Sequence, residues 1–446
     1  MKKTVLFFLL LGWVGGYCQD EPWQEPGCLR RVAIHLPEVD QSRPVSLIIT
    51  GYDFWRWTGF PRPRINSFRL FQGDTPLAYQ GEERQPDGLP ASPDGFLDDT
   101  DLLVFVATLS RKPVPIYLYY DGLPTQPVPP GCQPEIIEKK GDIIPLFISA
   151  GGVKVGIRGG GTVPGTQDIR NFGRGSFVFL SWKGQTLLDF RSSWGNYLPR
   201  GLASGKDGPV WSEPEIVFSG PVRTVVAVRC HRYSVSKDNQ PIFTGEIVRL
   251  LSVWHNCPTL ELEEYVSYQS TEFDWSWPYS FSLPVGKSLD ENDRLIVPLA
   301  GQPYVRPVTK TRQEIQANPW ERLYSTENPE EGWFAWQDTQ EKTGLAFFYE
   351  KLEPIRQRHV WVTYRPALHP QILVRTTPYP TGENNLSILD RALACRSHYR
   401  RQLQYVLLTD ESPETIRAIY HLWARIPGTG LSVSLAEKQR QIGEKK

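Results

Sequence analysis

The sequence predicts an all-β chain, an N-terminal β-sandwich followed by a larger antiparallel sandwich with few helices. The first observation is a succession of short runs of β-branched, aromatic and aliphatic residues, each closed by Gly, Pro, Asn or Asp, as consecutive antiparallel strands are. The second is punctuation: 39 Pro and 37 Gly break the chain too often for long helices. The third is alternation within residues 213–282. There Arg223, Val225, Ala227, Arg229, His231 and Tyr233 alternate with Thr224, Val226, Val228 and Cys230, and in a strand the two sets face opposite sides of the sheet. Glu261, Glu263, Tyr265, Ser267 and Gln269 alternate in the same way with Leu260, Leu262, Glu264, Val266 and Tyr268. One face is apolar and packs on a core. The other carries Arg, Glu, His and Tyr, which suits a large polar ligand, with sugar the leading choice.

Residues 1–18 read as a secretory signal peptide: Lys2 and Lys3, an apolar run from Val5 to Leu11, then small residues, too short for a membrane span. Tyr17 stands where a lipid-attachment signal at Cys18 needs a small residue. No other apolar run is long enough to cross a bilayer. The expected location is therefore extracellular or periplasmic, where disulfides persist. Cys28 and Cys132 bracket the first module, and Cys230 and Cys257 lie near the ends of neighbouring strands; either pair offers a disulfide, and connectivity stays open.

Residues 28–122 form the first module, with strand-like runs RRVAIHLPE, RPVSLIITGYDFW, NSFRLFQGDTPLAYQ, TDLLVFVATL and VPIYLYYDG. Asp94, Asp98, Asp99 and Asp101 lie in its polar loop and supply hard oxygen ligands, so Ca²⁺ is the metal reading there, against a solvated turn. Residues 123–135 are a Pro-rich linker. Residues 136–428 form the large domain. FISAGGVKVGIRGGGTVPG gives two strands about a glycine turn, and SFVFLSWKGQTLLDF is a hairpin turning at Lys183-Gly184. EGWFAWQDTQEKTGLAFFYE is another hairpin, RHVWVTYRPAL and QILVRTTPYP are strands, and SPETIRAIYHLWARIP is a helix opened by Ser412-Pro413. Residues 429–446 are charged and read as a loose tail.

Two resemblances add to this. Gln80, the loop Asp94-Gly95-Phe96-Leu97-Asp98-Asp99, Asp101-Leu102-Leu103-Val104-Phe105 and Tyr117-Leu118-Tyr119-Tyr120-Asp121-Gly122 resemble the N-terminal β-sandwich module of secreted bacterial carbohydrate-processing proteins. The run from Cys395 to Leu408 with the helix behind it, Ser219-Gly220-Pro221-Val222-Arg223, and Gly332-Trp333-Phe334-Ala335-Trp336-Gln337-Asp338 ahead of Gly344-Leu345-Ala346 are similar to the galactose-mutarotase-like supersandwich of secreted lyases and related proteins. That resemblance implies a substrate trough on the polar face of a wide sheet, and polysaccharide lyase or mutarotase chemistry.

A lyase acting on a uronic acid needs a cation against the carboxylate, a base for the carbon acid and an acid for the leaving oxygen. Arg229, His231 and Tyr233 supply one of each; neighbouring strands add Arg249, His255, Glu263 and Tyr265. A mutarotase would use Glu263 and His231, and a glycoside hydrolase the carboxylates Glu263 and Asp274. Asp274, Trp275 and Trp277 form the aromatic loop suited to sugar stacking. The structural alternatives are that His255 is a turn residue and that Arg223 and Arg229 pair across strands with Glu261 and Glu263. The net charge of zero gives no footprint for nucleic acid. Serine-hydrolase elbow, zincin, Walker and dinucleotide patterns do not occur. The expected function is a secreted polysaccharide lyase cleaving an acidic glycan by β-elimination; the alternatives are a non-catalytic glycan-binding or cell-surface protein and a hydrolase or mutarotase-like enzyme.

Overall fold

The structure is a computed structural model that describes residues 23–124, 134–138, 144–159, 175–189, 210–237, 240–270, 291–308, 312–317, 322–327, 331–349, 357–363, 371–377, 398–425 and 431–437. Among them the strand ladders are antiparallel, as the alternation predicts.

The scaffold is a ten-stranded sheet. Its order runs Val210–Trp211, Arg223–Lys237, Gln240–Trp254, Thr259–Ser270, His398–Leu408, Thr343–Tyr349, Trp333–Asp338, Asp293–Leu299 and Gln302–Pro307, with Glu215–Ser219 also pairing onto Arg223–Lys237. The middle strands are long, up to 15 residues, and dominated by β-branched, aliphatic and aromatic residues; the one proline of Gln240–Trp254, Pro241, stands at its second position. On one face Val226, Val228, Leu251, Leu262, Leu407 and Phe347 pack against Ile148, Val155 and Leu180 of a five-stranded meander that spans Glu135–Glu138 to Gln185–Asp189. The meander's two tight turns take positive φ at Gly151 and Gly152, then at Lys183 and Gly184. These two sheets form the larger sandwich.

The N-terminal module is a second sandwich. One sheet holds Ser432–Glu437, Arg30–His35, Ile116–Tyr119, Arg69–Gln72 and Thr75–Leu77; the other holds Arg43–Thr50, Leu102–Leu109 and Tyr79–Glu82. The C-terminal stretch is thus not all loose tail: Val433 and Leu435 continue an alternating pattern, and the strand pairs with Arg30–His35 from Arg30↔Glu437 to His35↔Ser432. The run read as a single strand from Arg43 to Trp55 is a strand to Thr50 and then a helix, Gly51–Thr58. Thr50 starts it: its hydroxyl accepts from Asp53 N while Asp53 answers the Thr50 backbone, a reciprocal cap.

The module does not stand apart from the large sheet. Val32, Phe54, Leu103 and Leu118 share one core with Ile296, Ala335, Phe348, Leu408 and the helix Pro413–Ala424 through Ile416, Ile419 and Tyr420. That helix begins where the sequence places it, with the Ser412 side chain accepting from Thr415 N and Pro413 at its first turn. The molecule is therefore layered: meander, ten-stranded sheet, then N-terminal sandwich with the helix. The module covers part of the sheet's second face, the face predicted to be polar.

Candidate functional site

The covered part of that face is built from charge. Arg223 is fully buried: Nε and Nη2 each donate to Glu82 of the module at 2.7 Å, and Nη1 donates to Glu261 at 2.7 Å. Gln80 Oε1 accepts from the Arg223 backbone at 3.1 Å, and Gln404 Nε2 donates to Glu261 at 2.8 Å. Burial raises the Glu82 carboxyl, but Arg223 and Arg84 outweigh it and leave it below its usual range. Burial dominates at Glu261 and lifts its carboxyl despite Arg223, with Glu263 adding to the rise. The Arg223–Glu261 pairing anticipated across strands is present, and the module supplies its second partner.

Beyond the module's edge the same face opens. Register sets Arg229 opposite Val248, Val248 opposite Tyr265 and Tyr265 opposite Arg400, a row of four neighbours on four adjacent strands. Arg229, Val248 and Tyr265 are half-buried and Arg400 is exposed. Two residues back on its strand, buried Glu263 accepts from Tyr265 Oη at 2.8 Å and from Arg400 Nη2 at 2.8 Å. The Arg400 guanidinium lies 5.5 Å from the centroid of the Tyr265 ring. Burial raises Glu263, but Arg84, Arg400 and Arg223 together bring its carboxyl down to about 2. Burial and the neighbouring Glu263 push the Tyr265 hydroxyl above its usual value. Exposed Glu246 and the backbone positions Ser267 and His398 form the next register row. The arrangement is a partly exposed shelf with a cation at each end, an aromatic ring between, and a fixed carboxylate beneath one cation.

The predicted site residues divide as follows. Arg229, Glu263 and Tyr265 come together on the shelf. Arg249 does not: it is buried on the core face, donating to Glu264 at 2.8 Å and to Gly175 O at 3.1 Å, with its guanidinium 4.8 Å from the Trp211 ring. His255 is a turn residue. It is buried, its Nδ1 donates to Pro221 O at 3.4 Å, and its Nε2 lies 2.9 Å from Thr224 Oγ1; burial lowers its pKa, so it stays neutral. His231 and Tyr233 have described backbones only. The ladder shifts register between Cys230 and Tyr233, so the period-two phase is not continuous from Arg229 to Tyr233. Their side chains, and Asp274, Trp275 and Trp277, lie outside the described residues.

The aspartate loop is cross-linked by an arginine. Arg62 Nη2 meets Asp94 at 2.8 Å and Arg62 Nε meets Asp98 at 2.5 Å, while Asp101 accepts from the backbones of Arg84 and Asp98 at 2.7 and 2.6 Å. Asp99 is exposed, and its carbonyl accepts from Tyr52 N at 3.0 Å. Among the described residues no group of three or more His, Cys, Asp and Glu is arranged to hold a metal ion. Cys28, Cys230 and Cys257 are free thiols, so the Cys230–Cys257 pairing that the sequence left open is not formed. Cys257 follows Trp254, which pairs with Arg223, so seven residues of strand, about 23 Å at 3.3 Å each, separate the levels of the two cysteines. Cys132 lies outside the described residues. No helix among the described residues is long and apolar enough to cross a membrane.

Three site residues were not singled out in the sequence: Arg84, Gly88 and Arg400. Arg400 had a signal, since Arg400, Gln402 and Gln404 alternate with Leu403, Tyr405 and Leu407 as a polar strand face does. Arg84 and Gly88 sit in a polar loop with no periodicity to betray their partners Glu263 and Tyr265 on a distant strand.

No protein-family model matches the chain, and no curated protein matches it. Solved structures similar to it include a glycosyl hydrolase family 38 protein from Enterococcus faecalis, at 10% identity and a TM-score of 0.47, covering 93% of this chain and 48% of that one. An α-mannosidase from the same organism aligns at 10% identity and a TM-score of 0.46, covering 93% and 47%. A galactose mutarotase-like protein from Clostridium acetobutylicum aligns at 13% identity and a TM-score of 0.35, covering 62% of this chain and 99% of that one. The chain spans about half the length of the first two.

Proposed function

We propose that the chain is a carbohydrate-active protein whose shelf binds an acidic glycan. The observation that carries this reading is the row Arg229–Val248–Tyr265–Arg400, in which two arginines flank a half-buried tyrosine ring on an open sheet face. A pyranose stacks its C–H face on such a ring, and a guanidinium recognises a uronate carboxylate in a planar, two-point fashion. Three strand spacings of about 4.8 Å separate the arginines, about 14 Å, which matches two to three sugar units.

Recognition is better supported than proton transfer. A group that exchanges a proton at neutral pH needs a pKa near 7. Glu263, at about 2, stays ionised, and Tyr265, pushed upward, stays protonated. β-Elimination on this shelf would rest on His231 and Tyr233 rather than on these two. The test is calorimetry of the full chain against polyuronates and neutral polysaccharides, with a parallel scan for the near-ultraviolet absorbance of unsaturated uronates. Binding to polyuronates that Arg229→Ala and Arg400→Ala both weaken supports the reading. Equal affinity for neutral and acidic chains, or none for either, overturns it; absorbance growth would add elimination.

A further inference from the structure

The ligand shelf ends where the N-terminal module begins, and the contact there is built from the loop after strand Tyr79–Glu82. We infer that this loop, through Arg84 and Gly88, is a positioning element for the shelf: Arg84 fixes Glu263, Glu263 fixes Arg400 over the ring of Tyr265, and Gly88 sets where that ring can stand. The inference rests on the proposed binding of an acidic glycan at the same shelf and adds that the module completes the site.

The geometry is specific. Arg84 is buried; its Nη2 is 2.7 Å from Glu82 Oε2 and 3.6 Å from Glu263 Oε1, and its guanidinium lies 5.1 Å from the Phe218 ring. At 3.6 Å the contact with Glu263 is ionic rather than a hydrogen bond. Indeed Glu263 Oε1 and Arg84 Nε are both buried and have no hydrogen-bond partner among the described residues. So Arg84 acts on Glu263 by charge. Glu263 Oε2 then takes both Tyr265 Oη and Arg400 Nη2. Tyr265 Oη is also 3.0 Å from Gly88 O, but a phenol has one hydrogen, and an ionised carboxylate is the stronger acceptor. Gly88 O is satisfied instead by Arg84 Nη1 at 3.1 Å. Gly88 is required on two counts. Its φ is +88°, and a Cβ there would lie 2.8 Å from Tyr265 Oη.

The charged and titratable groups facing Glu263 are Arg84 from the module, Arg223 and Glu261 from the sheet, and Tyr265 and Arg400 on the shelf. Arg84 is the largest of the cationic contributions that hold Glu263 ionised. Removing it raises the carboxyl towards the range in which it takes a proton, and a protonated Glu263 no longer anchors Arg400.

The experiment compares the full-length chain with Arg84→Met, Arg84→Lys and Gly88→Ala. One readout needs no ligand: the rate at which phenylglyoxal modifies Arg400, followed by mass spectrometry of its peptide. Arg84→Met is expected to speed modification of Arg400 several-fold, Arg84→Lys to restore the slow rate, and Gly88→Ala to speed it by displacing Tyr265. The second readout is polyuronate affinity against pH. The unaltered chain should bind evenly from pH 5 to 8, whereas Arg84→Met should bind at least about tenfold more weakly at the acid end, a change of about 1.4 kcal/mol. Arg400 labelling that is the same in all four proteins overturns the inference, whatever binds. Absence of polyuronate binding by the unaltered chain sinks the functional reading, while the labelling result still decides the positioning role. Should Arg84→Met fail to fold, Arg84→Gln takes its place, and Gly88→Ala, which strains the backbone as well as crowding Tyr265, is read beside it.

Discussion

Glu82 and Arg223 meet through two parallel hydrogen bonds of 2.7 Å across 141 residues of chain, and neither side chain is exposed. This pair joins the N-terminal module to the large sheet through charge, beside the apolar core that the two also share. Each has a second buried partner, Arg84 for Glu82 and Glu261 for Arg223, so removing one member leaves the other with a single counter-ion in a dry site, which costs up to about 3–5 kcal/mol. Glu82→Gln and Arg223→Met should each lower the urea midpoint strongly, and Glu82→Leu combined with Arg223→Met should lose less than the two single losses added together, while Arg84 and Glu261, each short of a partner, keep it below the unaltered chain. A double variant as weak as the sum of the singles would show that the two residues do not act on each other.

Acid should unfold the protein over a defined window. Glu263 and Glu331 both have folded pKa values of about 2, against 4.5 for a free glutamate. At Glu331 burial acts upward, and hydrogen bonds from His421, Arg417 and Trp333 overcome it. A folded value below the unfolded one means that the stabilisation is complete above pH 4.5 and is lost as pH falls towards 2. The melting temperature should therefore fall more steeply below pH 4.5 than above it. Glu331→Gln should be less stable at neutral pH and should show a shallower fall in acid; a slope equal to that of the unaltered chain would refute the assignment.

The described thiols should be inert until the chain unfolds. Burial raises Cys28 and Cys257 to about 11 and Cys230 to about 12, so at pH 8 the reactive thiolate is scarce at each as well as shielded. Iodoacetamide at pH 8 should leave the three peptides unlabelled in the native protein and alkylate all of them in urea. Native labelling of Cys230 would place it outside the core that it shares with Val226 and Val228.

The fold was legible because the strand signal is local. Val226, Val228, Leu260 and Leu262 announce a core face by period two, and Lys183-Gly184 and Ser412-Pro413 announce a turn and a helix start by their own chemistry. Helix Gly51–Thr58 escaped because Tyr52, Phe54, Trp55 and Trp57 read as strand formers; the Thr50-x-x-Asp53 cap was the contrary signal. The site was half legible. Glu263 and Tyr265 announce themselves by alternation, but alternation does not say which polar residues a distant module will bury. Arg223 and Arg229 lie on one strand, yet Glu82 and Glu261 hold the first in a buried cluster while the second stays half-buried. A register shift is equally silent in sequence: nothing in Cys230-His231-Arg232-Tyr233 marks the residue at which the ladder slips.

The C-terminal helix ends on a residue that does two jobs, and variants can separate them. Arg425 caps the helix at φ 53°, a left-handed conformation that a residue with a Cβ adopts only at a cost, while its backbone N–H donates back into the last turn. Its side chain reaches helix Gly51–Thr58 and the strand before it, with Nη1 at 2.6 Å from Asp53 Oδ2 and Nη2 at 3.1 Å from Ile48 O. Arg425→Ala loses the side-chain contacts and keeps the strain; Arg425→Gly loses the same contacts and relieves it. Gly should therefore be more stable than Ala by about 1 kcal/mol. The unaltered chain should stand within about 1 kcal/mol of Gly, because the Asp53 pair is largely exposed and such pairs contribute little. Urea denaturation of the three proteins decides it. Equal stability of the Ala and Gly variants would mean that the left-handed cap is not populated in solution, and the tie between the two helices would then have to be held by Ile416, Ile419 and Phe54 packing alone.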